Sequence, residues 1–147
     1  VYLAGIAAND SDWEAYEQHL DKAQAAVKAA KLKTSSNSEL TVLQAYIYQG
    51  RIWKNPMIRG AQYSQSVISE LEKAMKIDPA NPRASYLMAQ QLYHTPSFFG
   101  GGEEAALPHF EAAAEKYAQF EPASDLHPNW GKANNARFLS KIKGESN

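Results

Sequence analysis

Apolar residues recur along this chain at steps of three and four, the spacing that stacks side chains on one face of a helix. Tyr16, Leu20, Ala23, Val27 and Ala30 form the first such stripe, and Ser11 followed by Glu14 reads as a capping box that opens it. The polar stretch Thr34 to Asn37 is a turn, and a second capping box, Ser36 with Glu39, precedes a stripe of Leu40, Leu43 and Ile47 that runs to about Trp53. Asn55 and Pro56 are expected to end this helix, because a residue before proline is pushed out of helical dihedrals. A loop carrying Gly60 should then lead to a third helix with Val67, Leu71 and Ala74 on one face, stopping at Asp78 and Pro79. Asn81 reads as an N-cap with Pro82 in the first helical position, opening a fourth helix that runs to about His94. Beyond Thr95 and Pro96 come Phe98, Phe99 and the triple glycine Gly100–Gly102, a loop of special shape. A fifth helix carries Ala106, Phe110, Ala113, Tyr117 and Phe120, with Pro108 near its start. A last one begins near Pro128 with Trp130, Ala133, Leu139 and Ile142.

No segment shows the alternation of a strand, so the expected class is all-α, with about six helices. Val1 to Ala8 read as the remnant of another helix that an upstream segment would complete. Each stripe is too narrow for a free-standing bundle core, whereas hairpins that stack can share one continuous core. Brief linkers imply antiparallel neighbours. The 147 residues are the size of one domain, 44% hydrophobic and 21% charged, near globular averages.

The segment Glu70 to Tyr93, ELEKAMKIDPANPRASYLMAQQLY, resembles the junction between two tetratricopeptide repeats. Leu71 and Ala74 sit near the end of one helix, Asp78 and Pro79 make the turn, and Ala89 stands where two backbones would approach. Internal comparison agrees: setting Ser38 against Pro82 aligns Leu43 with Leu87 and Ala45 with Ala89. Thr41 and Ser85 replace the aromatic expected early in a repeat, and both units are longer than the usual period. The strings LQAYIYQGRI, NPMIRG, TPSFFGGG, ALPHFEAA and LHPNWG resemble a group of exported tetratricopeptide proteins of Bacteroidetes-type bacteria.

That resemblance implies a single domain over 1–147. It would be a tetratricopeptide-like α-solenoid of stacked antiparallel hairpins, about 38–78 and 81–121, closed by a capping helix about 128–143. It also implies an exported or periplasmic location, without a settled activity. In such a stack the first helix of each hairpin lines the concave face. The inward positions are then Glu39, Val42, Tyr46 and Gln49, followed by Arg83, Tyr86, Gln90 and Tyr93. Three tyrosines, two glutamines and an arginine suit recognition of a protein or peptide partner, since Tyr offers rigid area and a hydrogen bond. The alternative for Tyr46 and Tyr86 is that they cover the core of neighbouring helices.

Charge and chemistry narrow the classes further. Fifteen basic and sixteen acidic residues give a formal charge of -1, which supplies no field to gather nucleic acid. The absence of cysteine excludes disulfides, thiolate metal sites and cysteine nucleophiles. No apolar run is long enough to span a membrane. His19, His94, His109 and His127 are the only candidate neutral metal ligands; none pairs closely with another, though the loops flanked by His94 and His127 could approach. The triple glycine has no preceding strand and no following Lys-Ser/Thr, and Glu103 and Glu104 would repel an anion, so a tight turn is the better reading than a phosphate loop. No Gly-x-Ser-x-Gly elbow appears, and the carboxylates fall on polar faces. The expectation is therefore a binding module, not an enzyme, with no metal and no cofactor, presenting its concave face to a partner. The alternative is a small-molecule or glycan-binding envelope protein that uses the aromatic loop. Phe98, Phe99 and Trp130 are expected to pack together and close the open end of the stack.

Overall fold

The fold is that of a computed structural model describing residues 12–34 and 36–144. Val1 to Ala8 and Ser11, and with it the first capping box, lie outside the described residues. Six α-helices and no strand occur among those described. They are α1 (Trp13–Lys31), α2 (Ser38–Trp53), α3 (Pro56–Ile77), α4 (Pro82–His94), α5 (Glu103–Gln119) and α6 (Lys132–Lys143), with one 3-10 turn, Ser97–Phe99, before α5.

Short polar side chains start four of them. Asp12, Asn37, Asn55 and Asn81 each accept from a backbone N–H of the first turn, which would otherwise lack a partner. Asp12 and Asn37 therefore take the role expected of Ser11 and Ser36, since each stands one residue closer to its helix. Asn55 and Pro56 do end α2, but the same pair also begins α3, with the proline where its missing N–H costs nothing. The loop expected around Gly60 does not exist, and Gly60 lies inside α3. Pro108 lies within α5, which continues through it, and the last helix starts at Lys132 rather than near Pro128.

Each helix packs on its neighbour in sequence, and α2 also touches α4. The continuous core runs through Val42, Ala45, Leu71, Leu87, Ala89 and Phe110, all buried, each large aliphatic contributing roughly 1.5–3 kcal/mol. Ala45 and Ala89 have no exposed surface, which fits the close approach of α2 and α4.

Side-chain contacts fix which ends of the helices meet. Ser38 Oγ donates to the Ala74 carbonyl (3.0 Å), and Asn81 Nδ2 donates to Ser38 Oγ (3.0 Å). The start of α2, the end of α3 and the start of α4 thus share one end, here called the base. Residues 32–34 and 36–37 and the links 78–81 and 120–131 lie there. The opposite end, the tip, holds the start of α1, the α2–α3 junction and the loop 95–102. The contacts of Glu17 with Arg51 and Arg59 tie the first two of these together.

Candidate ligand-binding site

The residues expected to line a free concave face are largely covered by the protein's own C-terminal segment. Trp130 stacks on Tyr46 with ring centroids 5.4 Å apart and meets the Tyr86 ring edge-on at 6.5 Å. Phe138 of α6 packs edge-on against Tyr93 at 5.0 Å, and the Lys141 ammonium lies over the same ring. Val42, Gln49, Arg83 and Tyr86 are buried, while Glu39, Tyr46, Gln90 and Tyr93 are half-buried. Gln49 Nε2 donates to the Leu87 carbonyl (2.9 Å), tying α2 to α4. Burial pushes the Tyr86 hydroxyl up to about 12, so it stays protonated at any physiological pH.

Arg83 and Glu39 engage each other. The Arg83 Nε reaches both Glu39 oxygens (3.1 and 2.9 Å) and its Nη2 donates at 2.5 Å, while the guanidinium lies 4.5 Å from the Phe120 ring centroid. With 1% of its side chain exposed, Arg83 joins α2 to α4 at the base, and Nη1 is left without a hydrogen-bond partner. Exposure to a partner is not what this pair provides.

Phe98, Phe99 and Trp130 do not converge. Trp130 covers Tyr46 and Tyr86, and Tyr117 Oη donates to its carbonyl (3.0 Å). Phe98 and Phe99 lie at the tip, 79% and 72% exposed, with ring centroids 4.0 Å apart. The loop that lifts them is tightly built. Gly102 N donates to the Leu92 carbonyl and Gly101 N to the Pro96 carbonyl, and a Cβ on Gly101 would fall 2.2 Å from the Thr95 carbonyl oxygen. Gly100 and Gly102 have φ of 83° and 99°, a region that favours glycine. The triple glycine therefore holds two aromatic rings out in water.

More exposed apolar groups share the tip. Met57 (93%) and Ile58 (69%) stand on the first turn of α3, with Trp53 at the end of α2 and Trp13 at the start of α1. Scattered exposed apolar side chains need no explanation, but a cluster at one end of a fold marks a binding surface. Basic groups edge it on the α1–α3 side. Glu17 takes Arg51 Nη1 at 3.1 Å, Lys54 Nζ at 3.8 Å and a close contact from Arg59 Nη1, and Arg51 Nη2 also reaches Asp21 (2.7 Å). The sequence did carry a signal for this: Arg51 to Arg59 reads RIWKNPMIR, an apolar string with a cation at each end.

Two open grooves lie elsewhere. One of about 440 Å³ at the base is lined by Lys31, Lys73, Lys76 and Glu70 among others, and one of about 270 Å³ by Ser38, Asp78, Phe120 and His127 among others. Both have walls rich in polar and charged groups, and neither includes the aromatic loop. His94 packs beside Tyr93 and Phe138 towards the tip while His127 packs on Phe120 at the base, so their loops do not approach. No group of three His, Asp or Glu that could hold a metal occurs among the described residues. No helix among them is long and apolar enough to cross a membrane.

No protein-family model and no curated protein sequence matches the chain. Among solved structures the chain is similar to the HusA haemophore from Porphyromonas gingivalis, with a TM-score of 0.72 and 31% identity, over 99% of this chain and 69% of that one. This likeness corrects two expectations. The tetratricopeptide family assignment gives way to likeness with a haemophore, and a peptide- or protein-binding concave face gives way to a small-molecule reading. The physical reason for the first is that narrow apolar stripes and a proline-bounded turn serve many packed pairs of helices and do not belong to one family. For the second it is that Trp130 and α6 already occupy the face a peptide would need.

Proposed function

The chain belongs to the family of the HusA haemophore, and from that premise we propose that it binds haem as cargo in the cell envelope, without a chemical step. The observation that carries the reading is the pair Phe98 and Phe99, held out in water by a loop in which Gly101 has no room for a side chain and Gly100 and Gly102 take positive φ. A porphyrin is a broad, flat, largely apolar ligand. Aromatic rings and a flexible thioether such as Met57 suit its faces, because apolar contact needs no directional partner and Met adapts its shape. We read the helix order as an open stack of hairpins closed by Trp130 and α6, which leaves the tip as the surface for the ligand. An exported location accords with a haemophore relative.

Haemin titrated into the full chain should produce saturable quenching of tryptophan fluorescence and a shifted porphyrin absorption band. Changing Phe98 and Phe99 together to alanine should weaken binding by about tenfold or more, equivalent to some 1.4 kcal/mol, while helical content is unchanged. Absence of saturable binding, or an affinity untouched by the double substitution, would end this reading.

A further inference from the structure

The tip is electrically lopsided. On its α1–α3 side Arg51, Lys54 and Arg59 gather around Glu17 and Asp21, three cations against two carboxylates. Towards α5 it carries Glu103 and Glu104, on the first turn of that helix, where acids suit the positive end of the helix dipole. Exposed apolar side chains share this end: Trp53, Met57 and Ile58 next to the cations in the chain, Phe98 and Phe99 on the loop that leads into α5.

Resting on the haem reading, we propose that Arg51, Lys54 and Arg59 form a carboxylate clamp that takes the two propionates of the porphyrin and so fixes its orientation at the tip. Lys54 is the cation with most to give. Its Nζ is 3.8 Å from a Glu17 oxygen that Arg59 already engages closely, and its side chain is 37% exposed. Glu17 therefore holds the two arginines in place without absorbing all the charge. A ligand carboxylate arriving here would gain charge-assisted hydrogen bonds from donors already positioned, competing with Glu17 and with Asp21, which holds Arg51 Nη2 at 2.7 Å, for a cluster that keeps one cation in excess. Turned the other way round, the same carboxylates would face Glu103 and Glu104. The apolar body of the ligand then lies over Met57 and Ile58 in the direction of the aromatic loop. The charge arrangement selects an amphipathic dianion over a neutral apolar ring of the same shape.

The test compares protoporphyrin IX with its dimethyl ester, which keeps the ring and removes both carboxylates, by fluorescence titration of the full chain at two salt concentrations. The unaltered protein should prefer the diacid by roughly tenfold at low salt and lose part of that preference at high salt. Lys54→Gln combined with Arg59→Gln should abolish the preference and leave the affinity for the ester within about twofold. Lys54→Gln alone, at an exposed side chain, should move it in the same direction and guards against an effect on folding. Equal binding of diacid and ester by the unaltered protein, or variants that weaken both ligands alike, would overturn the clamp while leaving porphyrin binding intact. Binding of neither ligand would instead end the porphyrin reading, and the clamp with it.

Discussion

The indole of Trp130 lies against the ring of Tyr46, centroids 5.4 Å apart and planes 21° from parallel, although 84 positions separate the two in the chain. This contact decides what the inner face of α2 and α4 can do. It roofs Tyr46 and Tyr86 with the segment that precedes α6, and the carbonyl of Trp130 accepts from Tyr117. The surface that would have been a peptide groove is an intramolecular interface.

Removing the roof should therefore cost stability. Trp130 is half-buried, so Trp130→Ala should destabilise by about 2–3 kcal/mol, below the ~3–5 kcal/mol typical of a fully buried aromatic. Urea unfolding followed by circular dichroism measures this. An increase in binding of a hydrophobic dye should accompany it, as Tyr46 and Tyr86 become exposed.

The Arg83–Glu39 pair offers a second stability test. With one partner gone, Arg83 is left buried and uncompensated, so Glu39→Met should cost about 3 kcal/mol or more. Changing both residues to Met should cost less than Glu39→Met alone, because an apolar pair of similar volume leaves no stranded charge. A double-mutant cycle in urea separates the coupling from the loss of packing.

Gly101 should matter for binding rather than for the fold. A side chain there would collide with the Thr95 carbonyl, so Gly101→Ala must shift the loop that carries Phe98 and Phe99. The loop also caps the last turn of α4 through Gly102 N and the Leu92 carbonyl, so that turn shifts with it, while core residues such as Leu71, Leu87 and Phe110 lie outside the loop. Haemin affinity should fall by about tenfold, an effect of 1.4 kcal/mol, with a much smaller change in the urea midpoint of unfolding.

His109 supplies a pH dependence. Burial, and then the nearby charge of Lys116, lower its pKa from the usual 6.5. The unfolded chain therefore takes up this proton first as pH falls, and folding stability decreases through the window below 6.5. Glu70 acts separately: burial opposes its charge, but hydrogen bonds from Lys73 and Lys31 outweigh that and hold it below 4.5, so its loss comes at more acid pH. Urea midpoints at pH 7 and pH 5.5 should differ for the unaltered protein, and the difference should shrink in His109→Gln.

Sequence periodicity was sufficient for the helices and for most of the core, because burying a stripe such as Val67, Leu71 and Ala74 depends only on spacing that the chain itself carries. Local chemistry gave Asn81 with Pro82 as a helix start and the triple glycine as a turn, since caps and left-handed dihedrals are settled within a few residues. It failed by one residue at Asn37, and it read Asn55 and Pro56 as a stop followed by a loop when one pair both ends a helix and begins another. What tertiary structure alone decided is which apolar residues are left outside. Trp130 and Phe98 look alike in sequence as aromatics one or two residues before a turn glycine. One is carried back onto Tyr46 by the path of residues 120–131, and the other is lifted away at the opposite end. Likewise, Glu17 meets Arg51 and Arg59 across 34 and 42 residues, a separation that no local pattern encodes. The periodic pattern dictates that each helix must bury a face, but the choice of surface left for a ligand belongs to how the helices are stacked.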